Sequence, residues 1–385
     1  MTAGLPAACR GRTIGKMPTA RAIHVALFAL ALAGITAARA PADPPANKHQ
    51  RLLEYVGHDG QTRPVVNRDD WQRRRAQIIA GMEAAMGPLP KHDAELPLDP
   101  RIVEAKEEDG YTRLKLTIAV ANPPSAETAG ESTDRLPIYL LLPKRADGQR
   151  LPAMLALHQT TPIGKDEPVG LGNRVNLKYG QELAKRGYVV AAPDYPSFGE
   201  YPYDFRNSGY ASGTMKGIVN HLRAVDLLAS RPEVDAERIG VIGHSLGGHN
   251  AMFVGVFDER LKVIVSSCGW TPFHDYYGGK IAGWTSDRYM PRLRDVYELN
   301  PDRVPFDFYE VVAALAPRAF FSNSPLKDGN FDVAGVKKAM AAARPVYELF
   351  DAAERLQVRY PDSGHDFPPE VREEAYRFVD EALRK

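Results

Sequence analysis

The chain has 385 residues, 44% of them hydrophobic and 25% charged: the balance of an ordinary globular protein, long enough for one large domain or two small ones. Its formal net charge is +1, but Arg10, Arg12, Lys16, Arg21 and Arg39 fall in the first forty positions with no acidic residue among them, leaving 44 basic against 48 acidic in the rest. Such a balance provides no basic face for nucleic acid or an anionic membrane.

The first forty residues have the features of a secretory signal peptide. A basic lead precedes the apolar run 22–36, and Ala38-Arg39-Ala40 supplies small residues at the two positions a signal peptidase reads. Met17 offers an alternative start. The run is short and contains His24, which argues against a stable membrane anchor. Cys9 leaves with the signal, so the mature chain holds Cys268 alone and can form no internal disulfide. These features predict an exported bacterial protein, periplasmic or secreted.

Residues 41–50 are rich in Pro and Ala and read as a linker. Asn67 is a candidate N-cap for a helix carrying Trp71, Ile78, Ile79, Met82 and Met86 at helical spacing, stopped by Gly87-Pro88. Strand character follows at 102–105, 114–120 and 138–142, with a polar loop at 122–134. From there short apolar runs alternate with helical patterns. Strands are predicted at 154–157, 188–192, 239–242, 263–265, 319–321 and 356–360, and a closing helix carries Val371, Ala375, Phe378 and Leu383. Alternation of this kind predicts an α/β fold, a mostly parallel sheet flanked by helices, with its site at the carboxyl ends of the strands. The expected organisation is a signal peptide over 1–40, a linker and N-terminal helical extension over 41–110, and a catalytic domain over 111–385.

The run from Arg238 to Asn250 stands at the centre of this pattern. It passes from the strand 239–242 through Gly243-His244-Ser245-Leu246-Gly247 into a helix, with the helix start read near Asn250. G-x-S-x-G between a strand and a helix is the signature of a nucleophile elbow. The serine occupies a tight turn where the chain passes close on both sides, and glycines remove the Cβ atoms that would clash. The turn also aims the first free N–H groups of the helix at whatever the serine attacks.

A serine nucleophile needs a base, and a carboxylate to orient it. Of the ten histidines, His24 lies in the signal, His49, His58 and His92 precede the sheet, and His221 lies within a helix. His244 and His249 flank the serine, and His274 lies in an irregular stretch. His158 ends a strand. His365, in Gly364-His365-Asp366-Phe367-Pro368, follows the last strand on a loop before the final helix and is the candidate base. No Walker A, G-x-G-x-x-G, H-E-x-x-H or cysteine pair is present, so no cofactor and no metal site are expected.

From about Leu136 onward the chain resembles the serine α/β-hydrolase superfamily, closest to dienelactone-hydrolase-like and acetyl xylan esterase-like bacterial esterases. The carriers are Gly243-His244-Ser245-Leu246-Gly247-Gly248, Ala316-Pro317-Arg318, Pro345-Val346-Tyr347 and Gly364-His365-Asp366-Phe367-Pro368. The resemblance implies the order nucleophile, acid, base, with the acid on the loop after the strand 319–321. Asp328 fits that place, with Asp332 as competitor. It also implies an oxyanion hole built from the N–H of Leu246 and one from the loop after His158, at Thr160 or alternatively Gln159. The chain departs from dienelactone hydrolases proper, which use cysteine as nucleophile. It carries Leu246 where glucuronoyl esterases carry arginine.

Between residues 268 and 317 the alternation breaks. This aromatic-rich insertion is expected to lie over the site as a lid, with Trp270, Trp284 and Tyr289 as candidate substrate contacts. The reading that follows is an exported serine carboxylic-ester hydrolase acting on a small-molecule or carbohydrate ester, with an acetylated carbohydrate as the specific candidate. Alternatives are a serine peptidase resembling the prolyl oligopeptidase catalytic domain, or a binding protein that has kept the fold.

Overall fold

The computed structural model describes residues 47–91, 96–120, 134–145 and 148–384. The expected signal segment, and all but the last residue of the polar loop 122–134, lie outside the described residues. A hairpin of β1 (Glu54–Val56) and β2 (Thr62–Pro64), which the sequence reading did not anticipate, leads into α1 (Arg68–Met86). The Asn67 side chain accepts from the Asp70 N–H at 2.9 Å, as the predicted cap requires. Gly87 ends the helix at φ +98°, in the left-handed region that favours glycine.

A nine-stranded sheet follows. Its strands are β3 (Arg101–Glu108), β4 (Tyr111–Val120), β5 (Asp134–Pro143), β6 (Leu151–Leu157), β7 (Val189–Pro193), β8 (Val234–His244), β9 (Leu261–Ser267), β10 (Ala319–Asn323) and β11 (Leu356–Arg359), in the order β11-β10-β9-β8-β6-β7-β5-β4-β3. The six strands from β6 to β11 run parallel, while β3, β4 and β5 join antiparallel at one edge. β3 therefore belongs to the main sheet, although the sequence reading assigned 101–108 to the N-terminal extension.

Around the sheet lie α2 (Tyr179–Lys185), α3 (Gly213–Ser230), α4 (Leu246–Phe257), α5 (Arg292–Asp295), α6 (Phe308–Ala314), α7 (Val333–Glu348) and α8 (Pro369–Leu383). Every residue of β6 and β7 is buried, as expected of parallel strands covered on both faces. Successive β6 side chains enter opposite cores. Ala153, Leu155 and Leu157 join one that contains residues of α1, α3, α4, α6 and α7, whereas Met154 and Ala156 join one that contains residues of α2 and α8. No helix among the described residues is long and apolar enough to cross a membrane.

Part of the insertion is built into the core. Trp270, Phe273, Phe306 and Phe308 are fully buried in the larger core, and α6 is fixed by a capping box in which Asp307 and Glu310 bond reciprocally to the helix start. Glu310 also accepts from Arg74 of α1 at 2.5 Å and contacts His49 Nδ1 at 2.6 Å, tying the N-terminal segment to the insertion.

Candidate active site

The parallel strands deliver their loops to one edge of the sheet. β8 ends at His244, Ser245 turns at φ +54° and ψ −117°, and α4 begins at once with Leu246, four residues earlier than the sequence reading placed it. The turn requires glycine on both sides. A Cβ on Gly243 would stand 2.1 Å from the Gly247 carbonyl oxygen, and one on Gly247 would stand 2.0 Å from the Leu157 carbonyl oxygen of β6. Both obstacles are backbone, so neither can move aside. The Ser245 N–H donates to the Ser267 carbonyl at 2.8 Å, pinning the turn to β9. A serine strained into the left-handed region and held this way is what an exposed nucleophile needs.

His365 lies on the loop after β11, its Nδ1 at 2.9 and 3.0 Å from the two carboxylate oxygens of Asp328, on the loop after β10. The Asp328 side chain is 1% exposed, and its Oδ1 also accepts from the N–H groups of Asn330 (2.8 Å) and Phe331 (3.2 Å). Asp332, the competing acid, accepts instead from the Ala334 N–H as the N-cap of α7. The His365 ring packs edge-on against His244, the neighbour of Ser245, with centroids 4.9 Å apart. Cys268, at the end of β9, joins the pair: ligating atoms of Cys268, Asp328 and His365 all lie within 4.8 Å of one another.

The other histidines near the turn are buried. His158 accepts the Tyr195 N–H on Nε2 and engages the Gln159 carbonyl through Nδ1, and burial lowers its pKa. Burial also holds His244 well below the usual histidine range and lowers His249 to about 3.

Ser245 borders a cavity of about 190 Å³ together with Thr160, Leu246, His249, Tyr276, Gly283, Trp284, Tyr289, Asn330 and Phe331. Of the predicted oxyanion residues, Thr160 reaches this cavity and stands 3.3 Å from the Tyr289 hydroxyl, whereas the Gln159 side chain turns inward to Glu167. Leu246 packs with Tyr195, Phe198 and Tyr289. The loops after β6 and β7 are joined by a buried ion pair. Lys165 donates to Asp194 at 2.9 Å and to Glu200 at 2.7 Å, and Asp194 also accepts the backbone N–H groups of Lys165 and Glu200.

Among the predicted substrate contacts, Trp284 and Tyr289 line the cavity. Trp270 does not. It lies in the core, 1% exposed, stacked near Phe308 with its Nε1 donating to Ser322 Oγ at 3.1 Å. Position beside the serine strand could not separate these tryptophans, because each is placed by contacts with segments distant in sequence, Trp270 by Phe320 and Ser322 of β10 and Trp284 by His249 of α4. The sequence reading also passed over His249, set aside as a neighbour of the nucleophile, and Asn330 and Phe331, which share a loop with the candidate acids. A helix start at Leu246 would have placed His249 one turn into α4.

Related proteins agree with this architecture. The protein YtaP of Bacillus subtilis (strain 168) is 28% identical over 266 residues, covering 65% of this chain and 84% of its own length. Carbohydrate esterase MZ0003, from an unknown prokaryotic organism, is 25% identical over 357 residues, covering 77% of this chain and 78% of its own. The structure is similar to that of a glucuronoyl esterase from Solibacter usitatus, with a TM-score of 0.67 at 21% identity, over 88% of this chain and 99% of the other. The model of the prolyl oligopeptidase family matches residues 176–385, more than half of the chain, which reaches from α2 through the Ser245 turn to the closing helix, and the protein therefore belongs to that family, as a hydrolase of the serine type on the α/β-hydrolase fold.

Proposed function

We propose that the protein is an exported serine carboxylic-ester hydrolase whose substrates are carbohydrate esters. The observation that carries this reading is the arrangement at the sheet edge: a strained Ser245 opening on a cavity, with His365 bound to a buried Asp328 on the adjacent loops. Ser245 attacks the acyl carbon while His365 takes its proton and returns it to the leaving alcohol. Asp328 fixes the imidazole with Nδ1 as donor and stabilises its positive charge. The N–H groups of Leu246 and Thr160 receive the oxyanion, each worth roughly 2.7–4 kcal/mol of barrier. Water then releases the acyl group from Ser245.

The carbohydrate substrate is supported by the relatives, whose names include a carbohydrate esterase and, more distantly, a 4-O-methyl-glucuronoyl methylesterase of Wolfiporia cocos (strain MD-104) at 23% identity. Export rests on the signal-like segment 1–40. The test is turnover of p-nitrophenyl acetate and of an acetylated xyloside by the purified protein, compared with Ser245→Ala. Activity retained in the variant at the original rate sinks the mechanism.

A peptidase reading is favoured by the family itself and by a 32% identical stretch of 91 residues shared with a dipeptidyl-peptidase 5 of Porphyromonas gingivalis. Against it, the described residues before β6 form a hairpin, a helix and three strands of the main sheet, not the blades of a propeller. Cleavage of a proline-containing chromogenic peptide without turnover of either ester would favour the peptidase.

A further inference from the structure

Asn323 closes β10 with its side chain fully buried. Its amide nitrogen donates to the Ser267 hydroxyl of β9 at 2.9 Å and to the Asp366 carbonyl, on the loop after β11, at 2.9 Å. Both partners stand next to the residues of the proposed reaction. The Ser267 carbonyl accepts the Ser245 N–H at 2.8 Å, and Asp366 follows His365 directly. One side-chain amide therefore ties the anchor of the serine turn to the loop that carries the base.

The partners decide which way the amide faces. A carbonyl oxygen only accepts, so the group opposite Asp366 is the NH2. Its two hydrogens serve the two oxygens. Asn323 Oδ1 is left buried with no hydrogen-bond partner among the described residues. An unpaired buried acceptor costs stability, so stability alone does not account for an amide at this position.

The base loop has other ties, and they come from other directions. The Lys327 N–H of the acid loop donates to the Ser363 carbonyl at 3.0 Å, Asn176 donates to the Asp366 carboxylate at 2.6 Å, and Arg372 of α8 donates to the Phe367 carbonyl at 2.7 Å. None of these bonds leads to the serine turn. From that side the Cys268 thiol, a weak donor, reaches the Asp366 carbonyl at 3.2 Å, and the His244 ring packs on His365. Asn323 adds the strong hydrogen bonds between the two halves of the site. Proton transfer needs the base within hydrogen-bond reach of the hydroxyl, and a misplacement of about 1 Å can cost roughly 100-fold in rate.

We propose that Asn323 is a positioning residue, whose amide fixes the spacing between the Ser245 turn and the His365 loop and so sets how readily His365 takes the Ser245 proton. The inference rests on the serine-hydrolase reading above and deepens it, since it assigns part of the rate to a residue that does not touch the substrate.

The test measures kcat and KM for p-nitrophenyl acetate, and the rate constant and final extent of Ser245 labelling by a fluorophosphonate. Asn323→Leu replaces the amide by an apolar group of similar size. It is expected to lower kcat and the labelling rate constant roughly tenfold or more, with KM within about twofold of the wild type and labelling still complete. A partly unfolded protein would instead lower the extent of labelling and keep the rate constant. Ser267→Ala removes one end of the bridge without adding bulk, and carries the test if Asn323→Leu does not fold. Its kcat and labelling rate constant are expected to fall severalfold at unchanged KM. Unchanged rate constants in both variants, a loss confined to KM, or a loss confined to the extent of labelling would overturn the role of Asn323. A wild-type protein that neither hydrolyses the ester nor labels at Ser245 overturns the serine-hydrolase reading itself.

Discussion

Asp328 holds the His365 imidazole with both of its carboxylate oxygens, at 2.9 and 3.0 Å from Nδ1, across 37 residues of chain. In the proposed mechanism this contact sets the tautomer that can accept the Ser245 proton. Asp328→Asn keeps the shape and removes the charge, and kcat is expected to fall by roughly 10⁴-fold. Asp332→Ala removes only the cap of α7, with an expected cost of about 1 kcal/mol in stability and little change in kcat. Steady-state kinetics and denaturant titration of both variants check the assignment, and the reverse pattern would make Asp332 the acid.

Strain at Ser245 should be measurable as stability. Ser245 stands at φ +54° and ψ −117°, a conformation that glycine tolerates far better. Ser245→Gly is expected to be inactive yet more stable by about 1 kcal/mol in urea unfolding. Gly247→Ala should do the opposite. Its Cβ meets the Leu157 backbone at 2.0 Å, and a loss of about 3 kcal/mol or more, or failure to fold, is expected.

Asp307, which caps α6 and accepts the Phe273 N–H, is buried so completely that its pKa rises to about 7. Groups around it include Glu310, whose Oε2 accepts the Asp307 N–H, and His49 and Arg74, which bind Glu310. An acid whose pKa is raised by folding binds its proton more tightly in the folded chain. Its contribution is therefore fully present below about pH 4, the range of an ordinary aspartate, and is lost as pH climbs through about 7. The stability of the wild type relative to Asp307→Asn is expected to fall between pH 5 and pH 8 in urea titrations. A difference that stays constant over that range would show that the carboxyl is ionised throughout.

Cys268 touches the Asp328–His365 pair, yet it should be chemically quiet. Burial, followed by the nearby Asp328 charge, pushes its thiol well above the usual range, so the reactive thiolate is scarce at pH 8. Iodoacetamide is expected to label Cys268 at least roughly 100-fold more slowly in the native protein than in urea. Rapid native labelling, read by mass spectrometry, would refute this.

The sequence made several of these features legible because each depends on residues a few positions apart. The Asn67 cap, the fully apolar β6 and β7, and the two glycines around Ser245 are local consequences of hydrogen bonding, burial and steric clash. The loop that carries His365 followed from its place after the last strand. Other features were hidden. The periodicity of α6 was lost in a stretch read as a lid, although its cap, Asp307 with Glu310 three residues on, was present in the sequence. β3 was legible only as the short run 102–105; its full length and its place in the main sheet come from pairing with β4, since seven of its eight positions are exposed and give no alternation.

By itself, then, the sequence determined the alternating architecture, the serine turn and the pool of candidate acids and bases, since pattern and backbone sterics act along the chain. Only the tertiary structure brought Asp328, and not Asp332, onto His365, and buried Trp270 while leaving Trp284 at the cavity. Those outcomes depend on which distant segments meet at the carboxyl ends of β8, β9 and β10, and on what each side chain finds there to pair with.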